Sequence, residues 1–233
     1  MELTIDTASE MASVGLSQEG VLVAELTWRC HRNHSAELLP TLQYLMERAG
    51  VDKSDLRAIF VCIGPGGYTG LRVGVSTAKG LAFALGLPLV GVGRLEADAY
   101  QHADYPGSIC SIHRAGRGEL AWAVYARDAA GWREVAPPRL SSLDGLLAAG
   151  RRRLKRALFC GEISDELAES LREALGRQAA GAGMTAMSVR RAGFIADLAW
   201  RRLAAGQTDD AASLKPIYLR EAVVARPRGG GRK

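Results

Sequence analysis

The stretch GPGGYTGLRVGVSTAKGLAFALG, residues 64–86, joins a glycine-rich turn to a helix with almost no bulk on one side. The run Ala58-Ile59-Phe60-Val61-Cys62-Ile63 before it has the length and β-branched content of a buried strand, and Gly64, Pro65, Gly66 and Gly67 break it sharply. The predicted order is strand, tight turn, helix. Gly70, Gly74, Ala78 and Ala82 recur every four residues and so share one helix ridge. A glycine inside a helix costs about 1 kcal/mol relative to alanine, so this flat ridge asks for another backbone packed closely against it. Three neighbours fit: an element of the same domain, a helix of a partner subunit, or a phosphate group held by N–H groups at the helix start with help from Arg72. The usual nucleotide signatures fail, because Leu71 and Arg72 follow Gly70 where a P-loop needs Lys then Ser or Thr. Thr69 also stands where the dinucleotide pattern needs its final glycine.

Toward the amino terminus, residues 3–5, 12–16 and 21–26 alternate as strands of an antiparallel meander. Leu38, Leu42, Leu45 and Ala49 then give helical spacing from Ser35 to the stop at Gly50. Strand 88–92 and helix 94–102 complete a first α/β unit. After Pro106-Gly107 the pattern restarts with strands 108–113 and 120–125 and a turn at Gly131-Trp132. Helices near 142–149, 164–176 and 189–205, a short strand at 157–160 and a docked segment at 216–220 follow. The expected organisation is an amino-terminal lobe over residues 1–105, a smaller carboxy-terminal lobe over 106–220 and a basic, disordered tail over 221–233.

The chain has 233 residues, 48% of them hydrophobic and 24% charged, enough for a sizeable core. Glycine or charge interrupts every apolar run before membrane-spanning length, and Met1-Glu2-Leu3-Thr4 does not open a basic, then apolar, leader, so a cytoplasmic location is expected. Cys30, Cys62, Cys110 and Cys160 are widely spaced and read as buried free thiols. Residues 1–110 carry 8 Lys and Arg against 12 Asp and Glu, whereas residues 111–233 carry 22 against 13, giving halves of −4 and +9. Much of the excess lies in residues 151–156 and 226–233. Such clusters can bind a phosphate backbone, yet neither is interleaved with aromatic residues that would stack on bases.

The segments LTIDTASEMASVGL, HSAELLPTLQYLMERAG, GPGGYTGLRVGVSTAKGLAFALGLPLVGV and PIYLRE occur in the order seen in the TsaB family, which this chain resembles along its whole length. The likeness is dense from Leu3 to about Leu95 and thin between Pro106 and Ala212. It implies an α/β fold of two ribonuclease H-like lobes, the actin-like, Hsp70-like ATPase superfold. It also implies a role in the threonylcarbamoyladenosine modification of tRNA beside the anticodon. By the same resemblance the chain is a catalytically silent relative of TsaD, pairing with a TsaD-like catalytic subunit and a TsaE-like ATPase and meeting tRNA indirectly; if the flat helix also pairs with itself, a homodimer is expected when that partner is absent. The family's partner surface lies on its first two helices, here 35–49 and 70–85. This directs attention to Leu38, Leu42, Leu45, Gly70, Leu71, Gly74, Val75, Ala78 and Ala82 as interface residues.

A metal is not expected. The active relative's His-x-x-x-His pair has no counterpart among His31, His34, His102 and His113, and His31 and His34 lack a third ligand. No cofactor is required, although ATP is the superfold's ligand. Asp6, after the first strand, matches the superfold's first phosphate-loop aspartate, or else it hydrogen-bonds the turn at Thr7 to Ser9. With Thr7, Gly64, Gly66, Gly67, Thr69 and Arg72 it outlines a possible phosphate loop. His113-Arg114 after Ile112 replaces the family's usual Asp-Ala-Arg, removing a second carboxylate. The rival readings are an ATP-dependent phosphotransferase or ATPase, and an M22-type metallopeptidase.

Overall fold

A computed structural model describes residues 1–176, 180–181 and 188–219. The tail expected at 221–233 lies outside the described residues. Strands β1 (Glu2–Asp6), β2 (Met11–Gln18) and β3 (Val21–Arg29) form the antiparallel meander, and helix α1 (His34–Ala49) follows. Strand β4 (Ala58–Gly64), helix α2 (Tyr68–Leu85), strand β5 (Leu89–Gly93) and helix α3 (Arg94–Tyr100) complete the first unit. The second contains β6 (Ile109–Arg114), β7 (Leu120–Asp128), β8 (Gly131–Ser141), α4 (Leu143–Leu154), β9 (Leu158–Gly161), α5 (Asp165–Leu175) and β10 (Ala180–Gly181). Helix α6 (Ala192–Ala204) closes the sequence of elements.

The two sheets have one topology. The first runs β3-β2-β1-β4-β5 and the second, read from its other edge, β8-β7-β6-β9-β10. In each, the first strand pairs antiparallel with the second and parallel with the fourth. Alternate residues of a strand point to opposite faces, so Leu3, Ile5, Ile59 and Val61 pack under α1 and α2 while Phe60, Cys62, Val90 and Val92 pack against α3 and α6. In the second sheet Cys110, Ile112, Trp122 and Phe159 meet α4 and α5, whereas Ile109, Ala123 and Tyr125 meet Leu95 and Ala99 of α3. Helix α3 is therefore packed between the sheets. All four cysteines are free and buried, and burial pushes each thiol up from its ordinary range.

Two features depart from the sequence reading. Residues 131–141, expected to begin with a turn, are the edge strand β8; only one side of an edge strand needs pairing, so its Pro137, Pro138, Arg133 and Glu134 hide the strand pattern. The carboxy-terminal part of the expected 106–220 lobe also belongs elsewhere. Helix α6 packs on the first sheet, Asp209 bridges Leu89, and the Ile217 N–H donates to the Ile63 carbonyl at 2.7 Å.

The flat ridge of α2 faces inward, as do Leu38, Leu42 and Leu45 of α1. Gly70, Leu71, Gly74, Val75, Ala78 and Ala82 are all buried. A Cβ on Gly70 would sit 2.3 Å from the Thr7 carbonyl oxygen, and one on Gly74 2.2 Å from Thr7 Oγ1. The neighbour that needed room is the end of β1. These residues therefore support the helix pair from beneath, which corrects their reading as direct contacts with a partner. The outward residues of α2 are Tyr68, Thr69, Arg72, Ser76, Gly80, Phe83 and Ala84. Because the obstacle at Gly70 is backbone, Gly70→Ala is expected to destabilise the fold by about 2 kcal/mol or more in urea denaturation, whereas Gly80→Ala, with open space around it, is expected to be neutral or stabilising.

Candidate functional site

The turn after β1 gathers the chemistry of the first lobe. Asp6 is fully buried; its Oδ1 accepts the Ala8 N–H at 2.9 Å, the turn-holding role expected of it. Its Oδ2 accepts from Arg190, which arrives from just before α6. The same guanidinium reaches Asp98 Oδ1 of α3 at 3.2 Å and Ser9 Oγ at 3.3 Å. Arg94, one turn earlier on α3, lies 3.7 Å from Asp98 Oδ2 and pairs closely with Glu162 beyond β9. A chain of alternating charge thus runs Asp6, Arg190, Asp98, Arg94, Glu162 from one sheet to the other.

The burial of these charges sets their protonation. Burial alone would lower the Arg190 pKa, but Asp6 and Asp98 outweigh it and hold the guanidinium charged. Burial raises the Asp98 carboxyl against the opposing pull of Arg190 and Arg94. Burial works the same way on Glu162, yet the charge and hydrogen bond of Arg94 prevail and hold its carboxyl below the usual range. His113, at the end of β6, is pushed down to about 3 by burial and by Arg94, so its ring is neutral. Its Nδ1 lies 3.2 Å from the Arg114 carbonyl oxygen.

The same turn anchors the starts of both outer helices. Thr7 Oγ1 donates to the Gly70 carbonyl at 2.7 Å, the Gly67 N–H donates to the Ala8 carbonyl at 3.0 Å, and His34 Nε2 lies 2.8 Å from the Ser9 carbonyl oxygen. A Cβ on Gly66 would meet the Ala8 oxygen at 2.1 Å, so only glycine allows the two loops to touch. Gly64 has φ +93°, the left-handed region that glycine adopts freely.

Between the lobes lies a cleft of about 690 Å³ lined by Ser9, Gly66, Gly67, Arg94, His113 and Tyr218 among others. Gly66 and Gly67 border it, as the phosphate-loop reading requires. The rest of that set does not converge there. Asp6 and Thr7 are buried and committed to internal partners, the Gly67 N–H bonds Ala8, and Thr69 is exposed. Arg72 turns outward over the Tyr68 ring. These residues do not fit a magnesium-nucleotide cradle: both Asp6 oxygens already have partners, and a guanidinium stands beside the carboxylate where a metal would bind. Among the described residues no group of three or more His, Cys, Asp or Glu side chains is placed to hold a metal.

The sequence reading missed Arg190, Asp98, Arg94 and Glu162. One signal was available: Arg94 and Asp98 stand four apart in a helix whose other residues are largely small or apolar, the spacing of a charge pair sharing one face. Arg190 had none, being one of two adjacent arginines before a helix.

A family model described as "TsaD: tRNA N6-adenosine threonylcarbamoyltransferase" matches residues 27–223. The tRNA threonylcarbamoyladenosine biosynthesis protein TsaB of Bacillus subtilis is 30% identical over 218 residues, covering 94% of this chain and 93% of that one. The chain belongs to the TsaB family. A crystal structure from Pseudomonas aeruginosa, described as an uncharacterized protein with similarity to peptidase YEAZ, superposes with a TM-score of 0.78 at 26% identity. It covers 94% of this chain and 99% of its own, so the two chains share one fold over nearly their whole length. The tRNA N6-adenosine threonylcarbamoyltransferase of Geobacillus thermodenitrificans is 46% identical over 69 residues, 30% of this chain and 20% of that one. No described helix is long and apolar enough to cross a membrane.

Removing the Arg190 guanidinium would strand two buried carboxylates. Arg190→Met is expected to lose about 3–5 kcal/mol in chemical denaturation. The neutral His113 makes one contribution to the pH response. The unfolded chain binds its proton near pH 6.5, while the folded chain resists until about 3. This contribution is complete above pH 6.5 and is lost on acidification, with a slope approaching about 1.4 kcal/mol per pH unit. The depressed Glu162 acts in the same direction at lower pH. Denaturation midpoints of wild type and His113→Gln between pH 4 and 7 check this, the variant showing the flatter profile.

Proposed function

We propose that this protein is the non-catalytic subunit in tRNA threonylcarbamoyladenosine biosynthesis, docking on a TsaD-like threonylcarbamoyltransferase. The full-length likeness to a TsaB protein carries the pathway. The Asp6–Arg190 pair supports catalytic silence, because a fully buried carboxylate whose two oxygens already have partners has none left for a metal. The local likeness to a threonylcarbamoyltransferase, 46% identity over 69 residues, supports the partner, because two chains with related surfaces can meet about a pseudo-twofold axis.

The surface for that meeting is the outward side of α1 and α2. Phe83 is 85% exposed, and Leu39 and Tyr44 are more than half exposed. A shallow groove lined by Leu39, Met46, Leu81 and Leu85 runs between the helices. Exposed apolar side chains grouped on adjoining helices favour association, and the buried glycines beneath set how the helices sit. A TsaE-like ATPase joins the assembly, tRNA is reached through it, and the same apolar face supports a homodimer when the catalytic partner is absent.

Because Phe83 makes little contact within the monomer, Phe83→Asp is expected to leave stability unchanged and to weaken association with a TsaD-like enzyme at least about tenfold. Analytical ultracentrifugation of the mixture, with tRNA modification assayed in parallel, tests it. Unaltered association would move the interface away from these helices, and absence of any effect of the wild-type chain on modification would defeat the reading.

A further inference from the structure

The sequence shows basic runs without aromatic partners, but the fold supplies the aromatics. Tyr68, the first residue of α2, and Tyr218, near the end of the described chain, are 49% and 42% exposed, with ring centroids 5.5 Å apart and planes inclined by 32°. Arg72, one turn along α2, places its guanidinium carbon 4.1 Å from the Tyr68 ring centroid and its Nε 3.4 Å from Tyr218 Oη. No described carboxylate pairs with Arg72. The Ile217–Ile63 hydrogen bond fixes the strand of chain that carries Tyr218, so the group is held in place by the fold. Tyr218 also lines the interlobe cleft, together with Gly67 and Arg29. From Leu219 the sequence continues into Arg220, Arg226, Arg228, Arg232 and Lys233, with Glu221 its single acid.

We propose that Tyr68, Arg72 and Tyr218 form a stacking platform for an unpaired nucleobase of RNA. The proposal rests on the tRNA-modification reading and deepens it from indirect to direct contact with RNA. Two electron-rich rings and an uncompensated planar cation match what an exposed base and its phosphate require, since every base offers a π face and the guanidinium can stack or bind phosphate oxygens. Bases of a duplex are covered by their own neighbours, so the platform selects loops and single strands. The basic sequence that follows Tyr218 adds attraction for the backbone without dictating base identity.

The test is fluorescence anisotropy of the isolated full-length chain with a labelled unpaired RNA of about ten nucleotides, and with an RNA duplex of equal charge. Wild type is expected to prefer the unpaired RNA. Tyr68→Ala and Tyr218→Ala are each expected to weaken its binding roughly 5- to 100-fold, while Tyr68→Phe, which keeps the ring, stays within about twofold. Circular dichroism checks that these exposed positions leave the fold intact. No affinity for the unpaired RNA, equal affinity for duplex, or alanine and phenylalanine variants that behave alike would overturn the proposal. So would a Tyr68→Ala variant that loses a TsaD-like partner yet keeps its RNA affinity, since the platform would then be a protein contact. Phe83→Asp is expected to leave RNA binding of the isolated chain unchanged, which separates failure of this platform from failure of the docking surface.

Discussion

A guanidinium closed in between two carboxylates holds the molecule together. Asp6, Asp98 and Arg190 are each almost wholly inaccessible, and none could remain charged there alone, because removing an ion from water costs several kcal/mol. Their mutual attraction makes the burial tolerable, and it ties three distant parts of the chain to one point: the end of β1, the middle of α3 and the segment just before α6. Through Asp98 and Arg94 the same chain of charge extends to Glu162 in the second lobe.

The turn carried by Asp6 is also where α1 and α2 begin. Ala8 receives the Gly67 N–H, Thr7 bonds Gly70, and His34 meets Ser9. The interlobe charges and the exposed helix pair consequently share one rigid element. Helix α2 divides its work between two sides: glycine and alanine on one let it lie against β1, and Phe83 on the other stands clear of the monomer. A flat helix ridge shows that something packs closely, but it does not show whether that neighbour belongs to the same chain.

The repetition of one strand order in both sheets explains why the second half of the sequence opens like the first. It also explains what stays hidden. In the first lobe β1, β2, β4 and β5 are nearly all buried and their apolar runs stand out, as in Ala58–Gly64. In the second, β8 is an edge strand rich in Arg, Glu and Pro, and β10 is two residues long, so neither carries enough apolar alternation to be read. The first sheet borrows α6 from the far end of the chain, a long-range choice made by the apolar face Ile195, Ala196, Leu198 and Ala199.

The sequence by itself determined the order of the elements in the first lobe, the restart of the pattern in the second, the free buried cysteines and the family, because periodicity, glycine turns and local motifs act over a few residues. Only the tertiary structure decided that the glycine ridge faces its own β1, that Arg190 neutralises Asp6, and that Tyr68 meets Tyr218. Each of those contacts joins residues far apart in the chain. Their energy comes from excluding water and pairing charge in three dimensions, and no local pattern records which distant partner will be there.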